Sequence, residues 1–156
     1  MTPRELFEMR LDRFGEHPFV RFMLDNGRDC PIGPETFAGP HGEKGQCYKN
    51  SSLLAFNDHR LTYVEGTVVV FGGVPIDHAW CVNAAGVVID PTLTDNASDY
   101  YGVPFHTDYV RKACLKNGYY GLLDIFSAHK TLPKLIELGL EEGQQWLIEK
   151  RKAVKA

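Results

Sequence analysis

The chain has no C-x-x-C pair. Its four cysteines (Cys30, Cys47, Cys81, Cys114) stand singly, whereas zinc fingers and dithiol redox motifs need closely paired ligands, so neither chemistry is expected. Apart from His78, the histidines (His17, His41, His59, His106, His129) are scattered without metal-ligand spacing. No metal and no organic cofactor is therefore expected. No uninterrupted apolar stretch approaches membrane-spanning length. Met1-Thr2-Pro3-Arg4 runs straight into an amphipathic segment without the apolar core of a secretory signal. The expectation is a cytoplasmic protein with four free thiols. A formal net charge of -3 offers no footprint for nucleic acid. The short basic cluster Lys150, Arg151, Lys152 and Lys155 reads as a complement to a final helix dipole rather than a binding tail. Internal repeats and low-complexity segments are also missing.

What is present is ordinary for a globular chain: 156 residues, 44% hydrophobic and 24% charged. This length fits one domain over residues 1–156 and can bury a core without disulfides or metal. Thr2-Pro3-Arg4-Glu5 is a capping box with proline at the first helical position, and predicts a helix over about 3–14. The apolar run 18–24 fits helix and strand patterns almost equally. A glycine- and proline-rich irregular stretch from Asn26 to Gln46 follows, of a length that is usually functional or mobile. Residues 48–56 read as a helix beginning at or near Cys47. Strands are expected over 61–71, 77–82 and 87–90, the last two joined by a turn at Asn83-Ala84-Ala85-Gly86. Residues 92–105 read as irregular and 107–116 as a helix. A strand around 119–126 and a helix over 131–152, with breaks at Gly139 and Gly143, complete the expected order. That order points to an α+β fold rather than a doubly wound sheet.

One cysteine stands apart from the others. Cys47 lies where a glycine-bearing loop meets a helix start, which places partial positive charge and unused backbone N–H groups beside its sulfur. Such a nucleophile needs a base, and the base needs an orienting group. Asp77-His78-Ala79-Trp80 and Val88-Ile89-Asp90-Pro91-Thr92 fall on two strands of one hairpin. A turn centred near Ala84 would set His78 opposite Asp90, with Cβ atoms about 5 Å apart on one side of the sheet. Cys81 alternates away from His78 and is expected to pack in the core, as are Cys30 and Cys114.

A cysteine opening a helix, then His78-Ala79-Trp80, then a hairpin return ending Asp90-Pro91-Thr92, resembles the core of papain-like and transglutaminase-like cysteine enzymes. The resemblance covers roughly residues 45–93. It implies a nucleophile helix packed on an antiparallel β-sheet, flanked by N- and C-terminal helices, with Cys47 as nucleophile, His78 as general base and acid, and Asp90 as the orienting carboxylate. It departs from many members in carrying Tyr48 where they have tryptophan beside the cysteine. The implied activity is amide hydrolysis or acyl transfer through a thioester on a protein or peptide substrate: proteolysis, deamidation or cross-linking. A catalytically idle binding module and N-acetyl transfer from a thioester donor are the alternatives. Gln46 would add an amide donor for the oxyanion. Asn50, one turn after Cys47, either faces the site or is polar surface. Trp80 reads as core before substrate platform. The segment Tyr100-Tyr101-Gly102-Val103-Pro104-Phe105, with Tyr101 as candidate, either walls a substrate groove or packs beneath a loop.

Overall fold

Thr2 starts the first helix through a reciprocal pair of bonds. Its hydroxyl accepts from the Glu5 N–H (3.2 Å), and the Glu5 carboxylate accepts from the Thr2 N–H (2.8 Å). The structure, a computed structural model, describes residues 1–123. Helix α1 spans Pro3–Phe14 and α2 spans Pro18–Asn26. The second is the run that sequence left between helix and strand; Pro18 at its start and the buried Val20, Phe22 and Met23 give it a helix's apolar side. Strand β1 (Arg28–Cys30) follows, then a loop, then α3 (Cys47–Asn57). Strands β2 (Thr62–Val70), β3 (Val74–Val82), β4 (Val88–Ile89) and β5 (Ala97–Phe105) come next, and α4 (Thr107–Asn117) ends at Gly118 in the left-handed region, φ 75°. Among the described residues the fold is thus α+β, with four helices and one antiparallel sheet. No helix among them is long and apolar enough to cross a membrane.

Three expectations change. The stretch 92–105, read as irregular, contains β5, a strand inside the sheet. Ser98, Asp99, Gly102 and Pro104 hid it, because these residues weaken a strand signal. Pro104 is tolerated because β1 pairs with β5 only as far as Gly102, so the strand is an edge beyond that point. The stretch 26–46 contains β1. Residues 119–123 form no strand; the remainder of that expected element, and the helix over 131–152, lie outside the described residues.

The sheet order is β1-β5-β2-β3-β4. Its curl brings Pro31, just past β1, round to β4, where the Val88 N–H donates to the Pro31 carbonyl (2.9 Å). Strand alternation then sorts the core into two parts. Tyr63, Ala79, Cys81, Tyr101, Val103 and Phe105 face the helices. Val64, Val68, Trp80, Val82, Val88 and Tyr100 fill the inside of the curl. Helix α3 is tied along β3: the Ser51 hydroxyl donates to the Ala79 carbonyl (3.0 Å) and the Cys81 thiol to the Ser51 carbonyl (3.3 Å). Strand β4 pairs only with Cys81 and Val82. This leaves the β3 edge open beside His78, and the first residue of α3 reaches the imidazole there.

Candidate active site

The loop before α3 is shaped to present a residue. Gly45 takes φ 87° in a turn whose Gln46 N–H returns to the Glu43 carbonyl (3.2 Å), a conformation that disfavours any side chain at position 45. Gln46 is the N-cap and Cys47 the first helical residue. The helix start leaves first-turn N–H groups without intrahelical acceptors next to the sulfur. Two further bonds hold this loop against the turn after β4. The Gly42 N–H donates to the Pro91 carbonyl (2.8 Å), and the Asn50 amide donates to the Glu43 carbonyl (3.1 Å) and to the Thr92 hydroxyl (3.0 Å).

His78 and Asp90 meet, but not in the register that the sequence implied. The ladder pairs Cys81 with Ile89 and Val82 with Val88, so the turn is centred one position later than Ala84. Continued, that register would set Asp90 opposite Trp80 and leave His78 on the diagonal. Both stay on one side of the sheet, because moving the centre by one residue preserves the pairing parity. Strand β4 ends at Ile89, and Asp90 turns inward to bring Oδ2 to 2.8 Å from His78 Nε2. A carboxylate accepts only, so Nε2 carries the proton and Nδ1 is the remaining nitrogen; the Cys47 side chain is close enough to act on the same imidazole through hydrogen bonding and charge. His78 is 2% exposed, Asp90 7% and Cys47 9%, so the imidazole and carboxylate are screened from bulk water while the cysteine retains a small exposed surface.

Asp90 is saturated with donors. Oδ1 accepts from the Thr92 N–H (2.8 Å) and the Leu93 N–H (3.0 Å), and Oδ2 accepts from the Tyr100 hydroxyl (2.8 Å) as well as the imidazole. Burial alone would raise this carboxyl; the imidazole and the two backbone donors outweigh it and hold Asp90 below its usual range. Burial likewise works against the charged imidazole, yet the bonds and charges of Asp90 and Cys47 raise His78 to about 9. The site therefore favours an imidazolium set between a carboxylate and a sulfur. The other thiols have no such partner. Burial pushes Cys30 up to about 11 and raises Cys81 and Cys114 too. All four cysteines are free.

No protein-family model, curated protein or solved structure matches this chain. The site is therefore read from its own geometry.

Of the seven residues singled out in sequence, the structure gathers Cys47, His78 and Asp90 into one constellation. Gln46 is exposed at the N-cap, with no capping bond from its side chain. Asn50 is a tie between loop and turn. Trp80 is fully buried behind the imidazole, its ring centroid 6.1 Å from that of His78 and nearly parallel to it, so it is a core residue packed behind that ring. Its indole N–H has no oxygen partner and faces the Cys30 sulfur. The indole fits there because Gly102 has no side chain: a Cβ at that position would lie 2.8 Å from the ring. Tyr101 walls no groove. It is fully buried on the helical side, and its hydroxyl donates to the Met23 carbonyl (2.9 Å). Its neighbour Tyr100, which sequence did not single out, is the tyrosine at the site. Among the described residues, no group of three or more His, Cys, Asp or Glu side chains is placed to hold a metal ion.

Proposed function

We propose that this chain is a cysteine-dependent amide hydrolase or acyltransferase of the papain-like or transglutaminase-like kind, acting through a thioester on a protein or peptide substrate. One observation carries the reading. His78 Nε2 is fixed to Asp90 Oδ2 at 2.8 Å while Cys47, at a helix start, acts on the same ring and helps to raise its pKa. A buried imidazole tied on one nitrogen to a carboxylate and on the other to a thiol is the arrangement that nucleophilic catalysis by sulfur requires. The chain order Cys, His, Asp and the helix packed on an antiparallel sheet are likewise those of that superfamily.

In this mechanism Nδ1 of His78 already holds the thiol proton in a thiolate–imidazolium pair, and Sγ of Cys47 attacks the carbon of a carboxamide. Charge develops on the substrate oxygen, where the Cys47 N–H and a second donor from the helix start or Gln46 receive it. Asp90 holds the imidazolium in line without taking its proton. The tetrahedral adduct collapses as His78 passes that proton to the departing amine or ammonia, leaving a thioester. Water, or an amine, then attacks the thioester with His78 again as base, and the thiol is restored.

The test is competitive alkylation by iodoacetamide at neutral pH, read cysteine by cysteine by mass spectrometry. Cys47 is expected to react far ahead of Cys30, Cys81 and Cys114, and His78→Ala is expected to slow it about a hundredfold. Equal labelling of Cys47 in wild type and His78→Ala would reject His78 as its base and leave a binding module as the better account. Release of ammonia or amine from a panel of peptide amides then separates deamidation from cleavage.

A further inference from the structure

The two oxygens of Asp90 have unequal surroundings. Oδ1 is fixed by the adjacent backbone, through Thr92 and Leu93. Oδ2 is shared: His78 Nε2 and the Tyr100 hydroxyl both lie 2.8 Å from it. Tyr100 comes from β5, two strands away from β3, and crosses the inside of the curled sheet to get there. It is 5% exposed, its ring packs edge-on against Trp80 with centroids 5.0 Å apart, and it lies 6.4 Å from the His78 ring. A structural tyrosine needs any buried acceptor. This one takes the oxygen that the base depends on.

We propose that Tyr100 is a positioning residue for the acyl-transfer reaction, setting both the direction of Asp90 and the strength with which Asp90 holds the His78 imidazolium. The inference rests on the Cys47–His78–Asp90 reading above. A phenol that donates to a carboxylate oxygen draws charge from it, so the imidazolium on the same oxygen is held less tightly than by an unshared carboxylate. Tyr100 thus keeps His78 willing to release its proton to a leaving group while preventing Asp90 from rotating away. The other titratable groups around Asp90 are Cys47 on α3, Cys81 on β3, and His41, Glu35 and Asp95, which line an adjoining cavity of about 460 Å³ together with Asp90 and Tyr100. None of these last three is a hydrogen-bond donor to Asp90 in the structure.

The experiment is the pH profile of Cys47 alkylation by iodoacetate. This anion is drawn to the imidazolium, so its rate falls on an upper limb as His78 loses its proton, expected near pH 9 in wild type. Tyr100→Phe is expected to move that limb up by about half a pH unit, because Oδ2 is no longer shared. Site-specific 3-fluorotyrosine at position 100, a stronger donor of nearly the same shape, is expected to move it down; this variant also serves if Tyr100→Phe does not fold. A tyrosine that only fills space would change thermal stability and leave the limb in place. An upper limb present in wild type but unmoved by either replacement overturns the role of Tyr100 alone. A wild-type profile with no upper limb overturns the Cys47–His78 reading beneath it.

Discussion

Two buried carboxylates occupy opposite sides of the same sheet and accept nearly the same donors. Glu65, 2% exposed on the helical side of β2, accepts from the Tyr63 hydroxyl (2.8 Å), the Leu122 N–H (2.8 Å) and the Leu123 N–H (2.7 Å). Asp90, inside the curl, also has one tyrosine and two backbone N–H groups, and adds the imidazole. The outcomes are opposite. Burial raises Glu65 to about 7 despite its three donors, whereas Asp90 is held below its usual range. Neutral donors do not offset the loss of water around a carboxylate; a cation on the remaining position does. The fold thus has one carboxyl whose charge is used to hold another group, and one that is only about half charged at neutral pH and serves as an anchor for Leu122 and Leu123.

The largest effect should come from breaking the charged side. Asp90→Ala strands the imidazolium, the Tyr100 hydroxyl and two backbone N–H groups in the core, and is expected to cost about 3–5 kcal/mol in denaturant unfolding. Next comes the neutral side. Glu65 is raised from its ordinary value of 4.5 to about 7, so the folded state holds its proton more tightly than the unfolded chain. That contribution is complete below about pH 4.5 and is lost as pH rises to about 7, amounting to something on the order of 3 kcal/mol. Glu65→Gln is expected to remove this slope from stability measured against pH. A second decline should remain in that variant, from about pH 6.5 to 9, because His78 is also raised, from 6.5 to about 9. Asp90 acts with the opposite sign: its contribution is present at neutral pH and fades only as pH falls through its depressed range.

Smaller changes refine the contrast. Asn50→Ala removes the ties to Glu43 and Thr92, and Thr92 supplies one N–H to Asp90. The expected cost is about 1–2 kcal/mol in thermal or denaturant unfolding, together with slower Cys47 labelling as the loop loosens. Tyr63→Phe is the mirror of Tyr100→Phe. It should cost about 1 kcal/mol and move the Glu65 decline to still higher pH, because one of the donors that lowers this carboxyl is gone.

How much of this was readable beforehand follows from the kind of signal each residue carries. The helix opening at Cys47 was legible because a glycine turn and a following apolar segment are local features. The meeting of His78 and Asp90 was legible for a subtler reason. The register was off by a turn position, but parity placed both on one side regardless, and side is what decides whether they can touch. Tyr100 was not legible, because its role depends on β5 being a strand, and Gly102 and Pro104 make that segment read as irregular. Once β5 is known, alternation separates the tyrosine pair at once: Tyr101 faces Met23 and Tyr100 faces Asp90. Glu65 was illegible for a similar reason. A glutamate between Val64 and Gly66 in a strand reads as a solvent-facing position, and its backbone partners Leu122 and Leu123 lie more than fifty residues on.

The central claim is that Cys47 and Asp90 together hold the His78 imidazole in its protonated form. Nuclear magnetic resonance titration of the His78 ring in wild type and in Cys47→Ala measures this directly. The account predicts ionisation near pH 9 in wild type and a clear downward move when the sulfur is removed. A ring that titrates at or below 6.5 in both proteins would contradict it.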